Sequence, residues 1–479
     1  MESTSNRKKY LAKNTALFAL NSVGTKMITF FLVPIYTAAL STSDYGTADL
    51  VSTIATVLVP IMTLNIGEAV MRFSLDENAD YNKIMSVGIV VAIASMCVGA
   101  CAFPIIGNIQ SLKTYGIYIV LYCVTQGIYQ IAVCYLRGTE QLTYFAIGNI
   151  IHVIATASFN ILFLIVFKMG LPGYFTAYIL GYIVGTVYAV FKGKILNVLR
   201  KFEFDISLEK AMVRYSIVLV PTSLMWWIMN SSDRIMVTAM VGIAANGIYA
   251  VSYKVPTIVS TMSTVFNQAW SYSAIKESKS KDSEEFNNRM FNSFFQFQIL
   301  VTSGLLLIIR PFIKVYVSAA YYESWKYTPY LLVGYFFMSL GTFLSTSYTV
   351  HKDSRGFLIS GMAGAIINVA LNSVLIPVIG VAGAALATCV SYFSVFAYRV
   401  VDTRKYVKIK IVRTRYLLGI GIMILMASTL IFDFACSGLF LILEFVMVLF
   451  LEKDYIFKIL KLAISVAKRW LYKNNENSM

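Results

Sequence analysis

Residues 84–106 read IMSVGIVVAIASMCVGACAFPII. The stretch carries no charge and no alternation of apolar with polar positions, and it is close to the roughly 20 residues a helix needs to cross a hydrocarbon core. A membrane β-strand would alternate faces, and in lipid only a helix or a closed barrel satisfies every backbone polar group. Similar runs recur at 14–37, 45–66, 115–136, 144–167, 174–191, 215–240, 247–270, 290–312, 328–350, 357–378, 381–400, 416–434 and 436–451, the last being the shortest. The expected fold is an all-α integral membrane protein of about fourteen transmembrane helices. Composition agrees, since 58% of the 479 residues are hydrophobic and only 13% are charged, a balance foreign to soluble domains. The first apolar run is long and lacks a small-residue cleavage site, so it reads as the first span and not as a removable signal.

The net charge of +16 is explained by topology, without nucleic acid. With the N-terminus inside, five of the 40 basic residues fall in outer loops (Lys113, Lys168, Arg310, Lys314, Lys326), three lie within helices (Lys26, Arg234, Lys254) and 32 collect on the inner side. Such a bias places both termini in the cytoplasm and the chain in the cytoplasmic (inner) membrane of a bacterial-type cell. The basic cluster from Arg399 to Arg415 then faces anionic membrane lipids.

The chain resembles itself weakly. A shift of 210 residues lays Gly170 on Gly380, Gly173 on Gly383 and Tyr182 on Tyr392, and a shift of 201 lays Gly46 on Gly247. These matches suggest an N-terminal lobe of six helices with a cytoplasmic linker (1–214), a C-terminal lobe of six (215–400), and two further helices with an amphipathic cytoplasmic tail (401–479). Two lobes in one polypeptide supply both sides of a pathway, so a monomer is expected.

Candidate site residues follow from polar faces and buried charge. On the second helix of the first half, Asp49, Thr53, Thr56, Pro60, Thr63 and Gly67 share one face, and under the 201-residue shift that face coincides with Lys254, Thr257, Thr261, Thr264 and Gln268. Matched polar faces do not belong against lipid and are expected to line a central cavity, although each threonine could simply bond back to its own helix. Lys26, Arg234 and Lys254 are costly inside a membrane and therefore face water or a partner. Asp49 is a candidate partner of Lys26 or Lys254, Asp233 adjoins Arg234, and Asn230 lies on the same helical face as Arg234. Cations of this kind suit phosphate. The six cysteines read as small hydrophobes, and His152 and His351 stand alone. No catalytic or metal-ligating constellation is present, so neither enzymatic chemistry nor a cofactor is expected.

The run from Pro221 to Tyr249, with Asn230 to Arg234 and Asn246 to Tyr249, followed by Tyr253 to Pro256, resembles the Wzx-type polysaccharide (lipid-linked oligosaccharide) flippases. Similar pieces are Ala365 to Asn368 with Asn372 and Pro377, Gly380 with Gly383, Tyr321 to Trp325, and Val33 with Pro34, Asp44 and Gly46. Their order extends the likeness over about residues 10–400. The resemblance implies the multidrug/oligosaccharidyl-lipid/polysaccharide exporter superfamily, with a cationic cavity for an undecaprenyl-pyrophosphate-linked sugar repeat unit and alternating access. It also makes surface polysaccharide biosynthesis the setting, with the polysaccharide polymerase machinery as a candidate partner. Related multidrug exporters carry acidic residues in the first helix, and here that position is held by Lys26, which points to an anionic substrate. A drug or metabolite exporter of the same fold is the alternative, and a membrane polymerase or acyltransferase is the alternative of another class. The charge bias predicts that single cysteines at Asn108 and Ser318 react with impermeant thiol reagents from outside and that those at Ser207 and Ser280 do not; reversed labelling at either pair would overturn the helix count.

Overall fold

The computed structural model describes residues 4–107, 113–203, 205–277, 280, 282–351, 353–409, 414–461 and 464–465, with side chains from Asn21 onward except at 102–107, 113, 199, 222, 225, 226, 229, 230, 269, 272 and 275–277. The helices in chain order are α1 (Thr4–Ala39), α2 (Thr42–Met62), α3 (Ile66–Ser74), α4 (Tyr81–Gly107), α5 (Gly116–Gly138), α6 (Leu142–Asn160), α7 (Gly170–Lys192), α8 (Ile195–Leu199) and α9 (Ile206–Ile217). They continue as α10 (Leu219–Met240), α11 (Ile243–Ser252), α12 (Pro256–Glu277), α13 (Ser283–Tyr316), α14 (Thr328–Val350), α15 (Ser354–Ile379), α16 (Val381–Asp402), α17 (Thr414–Phe432) and α18 (Ser437–Leu451). Among the described residues 11 helices are long and apolar enough to span a membrane, while α11 and α18 are shorter apolar helices. The tail beyond residue 465, including the basic Lys468 and Arg469 of the expected amphipathic helix, lies outside the described residues.

Three expected spans are interrupted, each for a local reason. The helix expected over 45–66 stops at Met62, and Leu64 and Asn65 take left-handed φ values of 51° and 53° before α3 begins. Asparagine tolerates that conformation better than most residues, and Asn65 is fixed there by donating through Nδ2 to Ser223 Oγ at 2.9 Å. The helix expected over 247–270 breaks between Ser252 and Pro256. Proline has no N–H and its ring crowds the carbonyl four residues back, which is that of Ser252, the last residue of α11, and Pro256 opens α12. In the fifth expected span, α6 widens into a π-turn at Ile161–Val166. Gly170, the first residue of α7, and Gly380, just ahead of α16, have φ values of 61° and 60°.

The described chain forms two compact units, residues 1–254, 314–324 and 364–387 in the first, and 255–313, 325–363 and 388–479 in the second. In the first, the segment 314–324 is sewn to α1 and the turn after it by side chains reaching backbone carbonyls. Tyr316 donates to Phe30 O at 2.6 Å, Ser318 Oγ to Thr37 O at 2.6 Å, and Tyr321 to Ser41 O at 2.7 Å. Deeper in the same unit, α2 crosses α11 with almost nothing between them. A Cβ on Gly46 would fall on Ile243 O, and one on Gly247 would fall on Thr42 O. The residues matched by the 201-residue shift therefore meet each other, and glycine is required at both because the backbones themselves are in contact.

The second unit has an aromatic core in which Trp270 stacks on Phe343 at 4.6 Å and Phe266 on Phe294 at 4.4 Å. Arg399 is buried there, its guanidinium donating to Gly341 O at 2.9 Å and Ser360 Oγ at 3.0 Å. Glu452 is fully buried between Arg415 at 2.5 Å and Gln296 at 2.7 Å. At the turn between α14 and α15, the backbone N–H of Gly356, with Tyr406 and Lys405, holds the Asp353 carboxyl down at about 2. For the crossing in the first unit, Gly46→Ala and Gly247→Ala are each expected to cost about 1–3 kcal/mol or more through overpacking, seen as lost membrane-integrated protein. Gly24→Ala, where an added Cβ meets nothing within 4 Å, should leave abundance unchanged.

Candidate functional site

The crossing of α2 and α11 sets the register of everything near it. Asn246 precedes Gly247 on α11, and its Nδ2 donates to Gly46 O at 3.1 Å and to Asp49 Oδ2 at 3.4 Å. Asp49 stands about one turn beyond Gly46 on α2, so the contact that joins the helices also aims its carboxylate. Its other oxygen accepts from Arg234 Nη1, reaching over from α10, at 2.7 Å. Asp49 and Arg234 are 7% and 20% exposed, which makes this an ion pair largely withdrawn from solvent. Lys254, at the break after α11, interacts electrostatically with both Asp49 and Arg234.

The second carboxylate has its own partners. Asp233 is buried and accepts from Tyr249 OH at 2.8 Å, from Tyr253 OH, and from the backbone N–H of Arg234 at 2.9 Å. Tyr249 and Tyr253 are four residues apart and so share one face of the helix end. The Tyr253 ring also lies under the Arg234 guanidinium, 4.8 Å from its carbon, an arrangement that favours a cation in a dry setting. Further along, the Trp227 indole N–H donates to Thr53 O at 2.8 Å, so α10 is tied to α2 a turn beyond Asp49.

Five of the residues singled out in the sequence, Asp49, Thr53, Asp233, Arg234 and Lys254, thus come together in the first unit. The pairing differs from the sequence expectation, because Asp49 meets Arg234, which had been set beside Asp233, while Lys254 adds its charge to the same pair. Lys26 is exposed on α1 and makes no hydrogen bond or ion pair with a described residue. The Asn230 side chain lies outside the described residues. Thr56 bonds back to Thr53 O at 2.6 Å, and in the second unit Thr261 bonds to Thr257 O at 2.7 Å and Thr264 to Ser260 O at 2.8 Å, the local pattern open to any helical threonine. Gln268, on the same helix, keeps its Oε1 shielded with no hydrogen-bond partner. Asn246, Tyr249 and Tyr253 were legible only as part of the family-like run. Tyrosines at helical spacing in an apolar stretch look like packing residues until a carboxylate is found between them.

Chemically, the site offers a guanidinium and an amide N–H bonded to an oxygen anion, with the charge of Lys254 in electrostatic range. Arginine grips oxyanions through its planar fork and lysine through a mobile point charge. The fold is similar to that of several solved membrane transporters. The lipid II flippase MurJ in an inward closed conformation superposes with a TM-score of 0.67 at 14% identity, covering 93% of this chain and 99% of that one. An inward-facing multidrug resistance MATE family transporter of the MOP superfamily gives 0.64 at 11% identity, covering 86% and 99%. A MOP superfamily transporter from Pyrococcus furiosus gives 0.58 at 12% identity, covering 83% and 95%. In sequence, an uncharacterized membrane protein of Methanocaldococcus jannaschii is 22% identical over 412 residues, 81% of this chain and 96% of that protein. The chain belongs to the polysaccharide biosynthesis protein family, whose profile matches residues 11–272.

Breaking one side of a withdrawn ion pair leaves the other charge stranded. Arg234→Gln and Asp49→Asn are each expected to destabilise the protein by about 3 kcal/mol, while the double substitution should recover at least half of that loss. Thermal melting of the purified variants measures it, and additive losses would show that the two side chains do not depend on each other.

Proposed function

We propose that this protein flips an undecaprenyl-pyrophosphate-linked oligosaccharide repeat unit across the cytoplasmic membrane, for surface polysaccharide biosynthesis. The observation that carries this reading is the Asp49 carboxylate held by Arg234 and Asn246 with Lys254 in electrostatic reach, a built oxyanion site inside a membrane protein. Family membership supplies the polysaccharide setting, and the likeness to a lipid II flippase supplies a fold that serves lipid flipping. Cations at this depth favour a phosphate over the cationic drugs that an acidic site would attract.

In this reading the pyrophosphate and sugar head group enters among Lys26, Arg234 and Lys254, and the polyprenyl tail stays in lipid. Lobes formed by residues 1–214 and 215–400 alternate access, residues 401–479 are an addition to them, and the chain works as a monomer with both termini in the cytoplasm. Thr53 and Thr56 of α2 contribute polar lining for the sugar. Polysaccharide polymerase machinery receives the product on the outer side. No step requires bond-making chemistry or a cofactor.

The test is polysaccharide export measured beside membrane abundance for Lys26→Gln, Arg234→Gln and Lys254→Gln. Each is expected to lose at least tenfold in export per molecule, and Lys26→Gln to do so at normal abundance, since Lys26 has no described partner to strand. Normal export per molecule from all three would exclude the cationic site.

A further inference from the structure

Asp49 sits where a bound oxyanion would sit. One carboxylate oxygen is 2.7 Å from Arg234 Nη1, the other is 3.4 Å from Asn246 Nδ2, and Lys254 interacts with the same carboxylate. Asp233 has a different place, with its oxygens engaged by Tyr249, Tyr253 and the Arg234 backbone N–H. Of the two acids, only Asp49 comes from the first half of the sequence, while Arg234, Asn246 and Lys254 all come from the second.

We propose that Asp49 is an internal surrogate for the substrate's phosphate, holding the Arg234 and Lys254 site until a phosphate oxygen takes its place. The inference rests on the phosphate-binding reading given above and adds how that site is kept and opened. Exchange of one oxyanion for another never leaves a bare guanidinium in a low-dielectric surrounding, a state that would cost several kcal/mol. A pyrophosphate carries more charge than a carboxylate and can engage the arginine and the lysine together, which favours the exchange.

The exchange also has a mechanical consequence. Along its length α2 is tied to α10 and α11 first at the Gly46 and Gly247 crossing, then by Asp49 to Arg234, then by Thr53 O to Trp227, and beyond its end Asn65 is tied to Ser223. The crossing is backbone on backbone and stays fixed. The next tie is the one an anion can replace. Substrate binding therefore loosens α2 from α10 at this one tie, while the Thr53 to Trp227 and Asn65 to Ser223 ties remain.

The experiment uses the purified full chain in lipid nanodiscs, with inorganic pyrophosphate as the probe, titrated by calorimetry at fixed ionic strength. Asp49→Asn removes the competing charge and should tighten pyrophosphate binding at least tenfold. Arg234→Gln should weaken it at least tenfold, and Asp49→Asn combined with Arg234→Gln should bind no better than Arg234→Gln alone. Equal affinity in the wild type and Asp49→Asn, with loss in Arg234→Gln, overturns the surrogate and leaves the phosphate site intact. Affinity indifferent to Arg234→Gln, or no binding by any variant, overturns the phosphate site and the surrogate with it. Should Asp49→Asn not fold, Asp49→Ser takes its place. It removes the same competing charge and leaves Arg234, Asn246 and Lys254 in place, and the expected result is the same tightening, its absence overturning the proposal.

Discussion

The contact between Gly46 and Gly247 is the constraint from which the site follows. At each glycine the space for a Cβ is already filled by a carbonyl oxygen of the opposing helix, so neither rotation nor sliding of α2 on α11 is free. That crossing places Asn246 against the Gly46 carbonyl and the Asp49 carboxylate. From there the reach of one arginine completes the pair. A side chain at either glycine would separate the helices and with them the charges.

The charges explain why the arrangement is confined to one place. Two carboxylates and two cations meet within a few residues of α2, α10 and α11, and each acid has donors of its own. A solitary charge in lipid is expensive, whereas a set that balances internally is tolerated. The set is also poised, because Arg234, 20% exposed, is held by a carboxylate. Lys26 stands outside this balance on an exposed face of α1, and it is the one intramembrane cation whose charge the described residues do not answer.

Much of the fold was legible because the bilayer leaves so few solutions. Apolar length marks a span, and a glycine at a left-handed turn shows itself twice, as Gly170 and Gly380 do. The interruptions were harder. Pro256 could have been read as the end of α11, since it sits four residues after Ser252, but the left-handed pair Leu64 and Asn65 has no comparable mark. The threonine stripes were legible as pattern and ambiguous as chemistry, because a hydroxyl that bonds to its own helix and one that awaits a ligand have the same spacing.

By itself the sequence determined that this is a helical membrane protein, that Asp49, Asp233, Arg234 and Lys254 are charges needing an account, and that Gly46 corresponds to Gly247. Only the tertiary structure decided which acid meets which base. Asp233 and Arg234 are neighbours in the chain, yet successive side chains on a helix diverge by about 100°, so each turned to a partner far away in sequence or on another face. Asp49 and Arg234 are joined across 185 positions, and that choice was made by the closeness of two glycine backbones, a property of packing that no window of sequence contains.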